Sequence, residues 1–286
     1  MMLSIRYPAA SFLMGLLLSC WSTALVAGSA PERIISLGGD VTEIVFALGE
    51  GDRLIARDTT SQFPQEAENL PDVGYLRQLS LEGILAYRPD LVLLSEASRP
   101  APIANRLRSA GVRVESISYQ QDLQGVHLKI AQIAEALGVE DKGKRLSQRL
   151  EEEQEYLASK ARLWDKNAVF ILNHGGMSAP LVAGQGSSAD SMLSLAGISN
   201  AVEGLRGYKP LSPEGLIGAS PELVIVTEAG LRSLGGETGI WSLPGLSRTP
   251  AGRSRHLIVV DDLAFLGFGP RTPTELIRLR EQVEQL

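Results

Sequence analysis

The 286-residue chain contains one cysteine, Cys20, and none beyond it. A body without cysteine holds no disulfide, so an ordinary hydrophobic core must stabilise it. Histidine is nearly as scarce. Three in the whole chain, with His127 in a helical stretch, argue against a histidine-rich zinc centre. No basic run occurs and the net charge is −6, which gives no support to nucleic-acid binding. Past the first thirty residues no stretch is apolar enough for a transmembrane helix. Enzyme signatures are missing as well. There is no Walker loop, and "GEGDRL" and "GFGPRT" lack the third glycine of a dinucleotide fingerprint. "NHGG" resembles an oxyanion-hole loop but has no Gly-x-Ser-x-Gly elbow to accompany it. The chain is therefore read as a non-enzyme.

What is present is a globular composition, 44% apolar and 21% charged, behind a distinct leader. Arg6 supplies a positive n-region, "AASFLMGLLLSCW" a short apolar h-region and "STALVAGSA" the small residues of a cleavage site. Residues 1–28 are thus expected to be a secretory signal peptide, cut near Ala27. Lipid attachment at Cys20 is a second reading, disfavoured by the Leu and Ser before it and by Trp21 after it. An exported body without disulfides suits the bacterial periplasm.

The body alternates helix and strand. "RIISLGGD" predicts a strand and loop, "VTEIVFALGEG" a helix closed by glycines, and "DRLIARD", "DLVLLS" and "VRVESIS" further strands. Such alternation predicts mainly parallel sheets covered on both faces. From Asp122 the pattern becomes purely helical. "DLQGVHLKIAQIAEALG" ends at Gly138, and a second amphipathic stretch carries Leu146, Leu150, Leu157, Ala161 and Trp164 on one side. About 23 helical residues would span roughly 35 Å at 1.5 Å per residue. The α/β pattern then restarts with "AVFILNHGG", and the chain ends in "TPTELIRLREQVEQL", a helix for which Thr272 or Thr274 is the expected N-cap.

The restart repeats a text. Leu79–Ala97 and Leu211–Ala229 are identical at nine of nineteen positions, and each copy is preceded by Gly-Tyr and a basic residue. Copies so far apart indicate two related lobes rather than a solenoid. The expected architecture is α/β: an N-terminal lobe over 29–138, a linking helix over 139–165 and a C-terminal lobe over 166–286. A ligand belongs between the lobes, where loops at strand ends meet. A stiff connecting helix argues for little closure, because hinges need loop residues that absorb backbone rotation.

Two such lobes on a helical spine resemble the periplasmic substrate-binding proteins that serve importers of vitamin B12, siderophores and heme. Within that group "VGYLRQLSLEG", "NHGGMSAPLVAG", "GYKPLSPEGL" and "FLGFGPRTP" look like the hemin-binding branch. The resemblance covers the chain from Glu32 to its end. It implies the class III fold, two Rossmann-like lobes with mainly parallel sheets on a long rigid backbone helix. It also implies a monomer that carries heme through the periplasm to an inner-membrane ABC permease with its ATPase. Heme here is cargo and not a catalytic cofactor. A carrier of the same architecture for a ferric siderophore or a corrinoid is the alternative.

Heme needs an apolar slot, cations near its propionates and one good donor. Ferric iron is hard and favours anionic oxygen, which a tyrosinate supplies. Tyr75 is the candidate axial ligand and Arg77, two residues on, the cation beside it. The residues alone equally allow an interfacial aromatic and a solvated charge. His174, in a Gly-flanked loop after a strand, is a possible second iron ligand or a loop histidine bonded to backbone. Tyr208 and Lys209 could stack on porphyrin and meet a propionate, or form a packing pair. Arg271 in "GFGPRTP" is a further candidate cation. Glu82 and Glu214 occupy the same place in the two copies, where each could complete a capping box. In the resembled family, matching acids on both lobe tips dock onto basic pockets of a two-fold permease, and these two glutamates stand at those places.

Overall fold

The computed structural model describes residues 30–160, 163, 165–173 and 180–286. The leader with Cys20, as well as Ala161, Trp164 and His174, lies outside the described residues.

The first half runs β1 (Ile34–Leu37), α1 (Gly39–Ala47), β2 (Leu54–Arg57), α2 (Leu81–Leu85), β3 (Leu91–Ser95), α3 (Ile103–Ser109) and β4 (Arg113–Ile117). Its sheet is wholly parallel, in the order β2-β1-β3-β4. Every residue of β1 and β3 is buried, which is why "IISL" and "LVLLS" are unbroken apolar or small runs without alternation. Two helices follow. Asp122 caps α4 (Leu123–Leu137), accepting from the Gly125 N–H at 2.7 Å, and Gly138 ends it at φ 72°, a conformation that suits glycine. Then α5 (Glu140–Ser159) runs for 20 residues, roughly 30 Å of the 35 Å expected, and Lys160 leaves it in extended geometry.

The second half is β5 (Asn167–Leu172), β6 (Leu181–Ala183), α6 (Ser188–Ala196), β7 (Ser199–Asn200), β8 (Tyr208–Lys209), α7 (Pro213–Ala219) and β9 (Leu223–Thr227). Three short helices, α8 (Glu228–Ser233), α9 (Gly236–Trp241) and α10 (Pro250–Ser254), precede β10 (Leu257–Val260). The chain closes with α11 (Asp262–Leu266) and α12 (Thr272–Glu284). The sheet order β10-β9-β5-β6-β8 mirrors the first, with the repeated strands β3 and β9 each beside the first strand of its half. One departure matters. Whereas β2 is parallel to β1, β6 is antiparallel to β5 and β8 to β6.

One apolar cluster crosses the whole molecule. It joins Ile34, Leu91 and Leu93 of the first sheet to Val126, Ile130 and Ile133 of α4 and to Leu146, Leu150 and Leu157 of α5. From there it continues into Phe170, Phe265, Phe268, Leu276 and Leu279 of the second half. Phe170 and Phe265 stack with ring centroids 5.4 Å apart. Separate clusters fill the outer side of each sheet. Each large apolar side chain so buried contributes roughly 1.5–3 kcal/mol, so the shared cluster is a main source of cohesion between the halves.

The N-terminus of α12 departs from expectation. Neither Thr272 nor Thr274 caps it: Thr272 is buried at its first position, and Thr274 Oγ1 donates instead to Glu153 Oε2 of α5 at 2.8 Å. The backbone N–H of Arg271 donates to Glu43 Oε1 from the other half at 3.1 Å. No helix among the described residues is long and apolar enough to cross a membrane.

Because the central core is shared, Phe265→Ala should destabilise the protein by about 3–5 kcal/mol. Calorimetry should still record one cooperative transition; two resolved transitions would show that the halves melt separately.

Candidate functional site

Loops at the carboxyl ends of the strands converge between the two sheets. The segment after β2 is pinned by Asp58, which is fully buried. Its carboxylate accepts from the Gly38 N–H (2.8 Å), the Thr60 N–H (2.9 Å), Thr60 Oγ1 (2.5 Å) and Ser61 Oγ (2.8 Å). That ties the exit of β2 to the exit of β1. Further on, Thr59 N–H donates to the Gly74 carbonyl and Arg99 N–H to the Leu76 carbonyl. Val73 and Leu76 point inward, and Tyr75 between them is 45% exposed. Gly74 at φ 103° and Gly207 at φ 65° explain the repeated glycine before each tyrosine: both turns need positive φ.

The two copies then diverge. Tyr75 lies in a loop, and no hydrogen bond holds its hydroxyl among the described residues. Tyr208 is a strand residue whose hydroxyl lies 2.8 Å from Ser188 Oγ and accepts from the Ala189 N–H (3.2 Å) at the start of α6. Its ring tilts against Phe170 at 6.4 Å, and burial raises its pKa. Lys209 is exposed. Arg271 is engaged across the halves. Its Nε and Nη2 donate to Glu43 Oε2 at 3.1 and 3.0 Å, its Nη1 lies 3.3 Å from Asp261, and its guanidinium sits 3.6 Å from the Phe63 ring centre. Burial raises the pKa of Glu43, opposed by Arg271.

Several residues here went unremarked in the sequence. Tyr119, just past β4, accepts from Gln121 Nε2 at 2.9 Å. Burial raises its pKa, while Arg77 lowers it. Beneath lies Lys129, fully buried, whose ammonium donates to Asp40 Oδ2 (2.5 Å) and to the carbonyls of Gly267 (3.2 Å) and Phe268 (3.0 Å). A lysine within the apolar stripe of α4 (Val126, Ile130, Ile133) was the available signal. A tyrosine directly after a strand was the other.

Glu82 and Glu214 are both exposed, each at the second position of its helix. Ser80 and Ser212 cap those helices by accepting from Gly83 and Gly215. The reciprocal half of a capping box needs the acid at the third position, which glycine fills in both copies. The carboxylates therefore form no described hydrogen bond or ion pair.

Residues 34–264 match the family described as periplasmic binding protein. This chain belongs to that family. Among solved structures of periplasmic binding proteins, the heme-binding protein RhuT from Roseiflexus sp. RS-1, in apo form, is 39% identical. The match covers 89% of this chain and 98% of that one, with a TM-score of 0.84. The heme-binding protein BhuT, solved with two hemes, is 38% identical over 88% of this chain and 98% of its own, with a TM-score of 0.82. A vitamin B12-binding protein of Vibrio parahaemolyticus is 27% identical over 93% of this chain and 94% of its own. The two-sheet architecture is that of the class III periplasmic binding proteins.

The buried Lys129–Asp40 pair makes a testable statement. Lys129→Met alone strands a buried carboxylate and should cost about 3–5 kcal/mol in urea unfolding. Lys129→Met with Asp40→Leu should recover most of that loss; equal destabilisation of single and double variants would contradict the pairing.

Proposed function

We propose that this periplasmic binding protein captures ferric heme between its two halves and delivers it to an inner-membrane ABC permease for iron uptake. The observation that carries the reading is Tyr75: a half-exposed phenol, unencumbered among the described residues, on a loop fixed at a strand end. Iron coordination displaces the phenolic proton, and a cation nearby favours the anion that remains. Arg77, two residues along the chain and exposed, is the candidate for that cation. The likeness to RhuT and BhuT at 38–39% identity over nearly the whole of each supports heme as the cargo.

The other cargo residues take graded roles. Lys209 is an exposed cation for a propionate, while Tyr208 lines the second half as a fixed aromatic. Arg271, tied to Glu43, serves the wall of the groove and reaches cargo only with its remaining exposed edge. His174 is a candidate second ligand outside the described residues. A corrinoid is the second reading, favoured by the 27% likeness to the vitamin B12-binding protein.

Glu82 and Glu214 support the permease. Two free carboxylates at equivalent helix starts give a pseudo-symmetric carrier the same charge on both halves, as a two-fold membrane partner requires. Export by residues 1–28 places the carrier in the periplasm, acting as a monomer.

Hemin added to the purified protein should give a Soret band with the weak visible charge-transfer features of high-spin tyrosinate-ligated ferric heme. Tyr75→Ala should weaken binding by at least the roughly 10–100-fold that loss of an outer-shell partner costs a metal site, and His174→Ala should matter less. The spectrum of free hemin, together with tight binding of cyanocobalamin, would establish the corrinoid instead.

Glu82→Arg combined with Glu214→Arg should leave hemin binding intact and abolish uptake into vesicles reconstituted with the permease. Uptake at the parent rate would remove the docking role.

A further inference from the structure

The connection from β2 to α2 begins tied to the first half and then reaches across to the second. At its start, besides the bonds to Asp58, the Gly39 N–H donates to Thr60 Oγ1 at 3.1 Å and Ser61 Oγ lies 2.6 Å from Thr42 Oγ1. Phe63 comes two residues later, and its ring centre lies 3.6 Å from the guanidinium of Arg271 in the second half. That guanidinium is itself fixed, with Nε and Nη2 donating to Glu43 Oε2 and Nη1 3.3 Å from Asp261. The ring is 38% exposed, so burial in a core does not dictate its place; the cation does. A second point of approach lies beside it. A Cβ on Gly39 would stand 2.5 Å from the Thr60 carbonyl oxygen and 2.7 Å from Leu263 Cδ1, so first and second halves close on the same glycine.

The same connection carries the turn that presents Tyr75. The Thr59 N–H donates to the Gly74 carbonyl at 3.0 Å, Arg57 N–H to the Pro71 carbonyl at 2.9 Å and Val73 N–H to the Arg57 carbonyl at 3.0 Å. Tyr75 is the next residue after Gly74. We propose that Phe63 is a positioning residue: by stacking on the fixed Arg271 guanidinium it clasps the β2–α2 connection to the second half and so holds the Gly74–Tyr75 turn at the groove. The role for Tyr75 rests on the cargo reading above, whereas the clasp stands on the contacts alone. A guanidinium is planar and rigid, so a ring laid on it adopts one pose. Without that pose the connection keeps conformational freedom that each arriving cargo must freeze out.

The test begins with amide hydrogen exchange in the cargo-free protein. Phe63→Ala truncates a partly exposed side chain and should leave the β1 and β3 amides at the parent rate, while the Thr59 and Val73 amides exchange roughly tenfold faster. Phe63→Tyr, which keeps the ring face, should match the parent. Phe63→Leu, which keeps only apolar bulk, should behave as Phe63→Ala. Hemin release, followed by transfer to apomyoglobin, should quicken by a similar factor in Phe63→Ala, and the substitution should add nothing in a Tyr75→Ala background. Unchanged Thr59 and Val73 exchange, or a Phe63→Leu protein that matches the parent, overturns the clasp. Loosened amides with hemin released at the parent rate, or an effect on release that persists without Tyr75, overturn the positioning role. If the parent binds no hemin, the cargo reading has failed and the positioning role falls with it; the exchange comparison then judges the clasp by itself.

Discussion

The geometry between the halves depends on one buried ammonium. Lys129 has three N–H donors and meets three acceptors: the Asp40 carboxylate of its own half and the Gly267 and Phe268 carbonyls of the other. Phe268 holds φ 53°, a left-handed conformation uncommon for a bulky residue, and its carbonyl is one of the three. One turn along α1 from Asp40, Glu43 receives the Arg271 backbone N–H and guanidinium. One helix face thus carries two carboxylates, three residues apart, and a single loop of the second half meets Glu43 directly and Asp40 through Lys129. Buried ion pairs are weak sources of stability, because desolvation offsets most of their Coulomb energy. The shared apolar cluster through α4, α5 and α12 supplies the cohesion. The polar seam fixes the register in which the two halves are held.

A fixed seam explains why a duplicated sentence does not make a duplicated site. In the first half β2 runs parallel to β1, and more than twenty residues pass before α2 begins, so Tyr75 falls in a long loop free to face the groove. In the second half the chain folds back at once into antiparallel β6 and β8, and Tyr208 becomes a strand residue locked onto α6. The glycine that precedes each tyrosine keeps its positive φ in both. The glutamates, by contrast, stay equivalent because α2–β3 and α7–β9 keep the same local geometry. Symmetry survives on the outer tips and is broken inside the groove.

Much of this was legible in the chain. Fully buried strands such as "LVLLS" and "LVIVT", and helices closed by Gly138 or Gly197, are local patterns that the tertiary fold only confirms. The three-residue β6 and two-residue β8 are too short to show a period, and their pairing depends on partners far along the chain. Arg271 was legible as a cation but not as a cation already holding Glu43, since nothing local links positions so distant. Thr272 and Thr274 carried the right chemistry for a cap; the packing of α12 on α5 and α1 decided otherwise. Tyr119 carries little local signal, because the Lys129 ammonium 6.0 Å from its ring centre comes near it only through the fold.

If the halves barely move, the groove must select cargo by its width and its donors, and the donor is then the discriminating element. A tyrosine that ligates ferric iron gives up a proton of reference pKa about 10, which at pH 7 amounts to about 4 kcal/mol to be offset by the metal and by nearby charge. An exposed phenol meets that demand well, since it suffers no desolvation before cargo arrives and gains a dry neighbour only when the plate covers it. A cation brought beside it would lower the remaining cost. A cargo whose metal takes no donor from the protein draws no advantage from either group. On the reading proposed above, the exposed Tyr75 favours a planar ferric chelate with an open axial position over a closed complex of similar size.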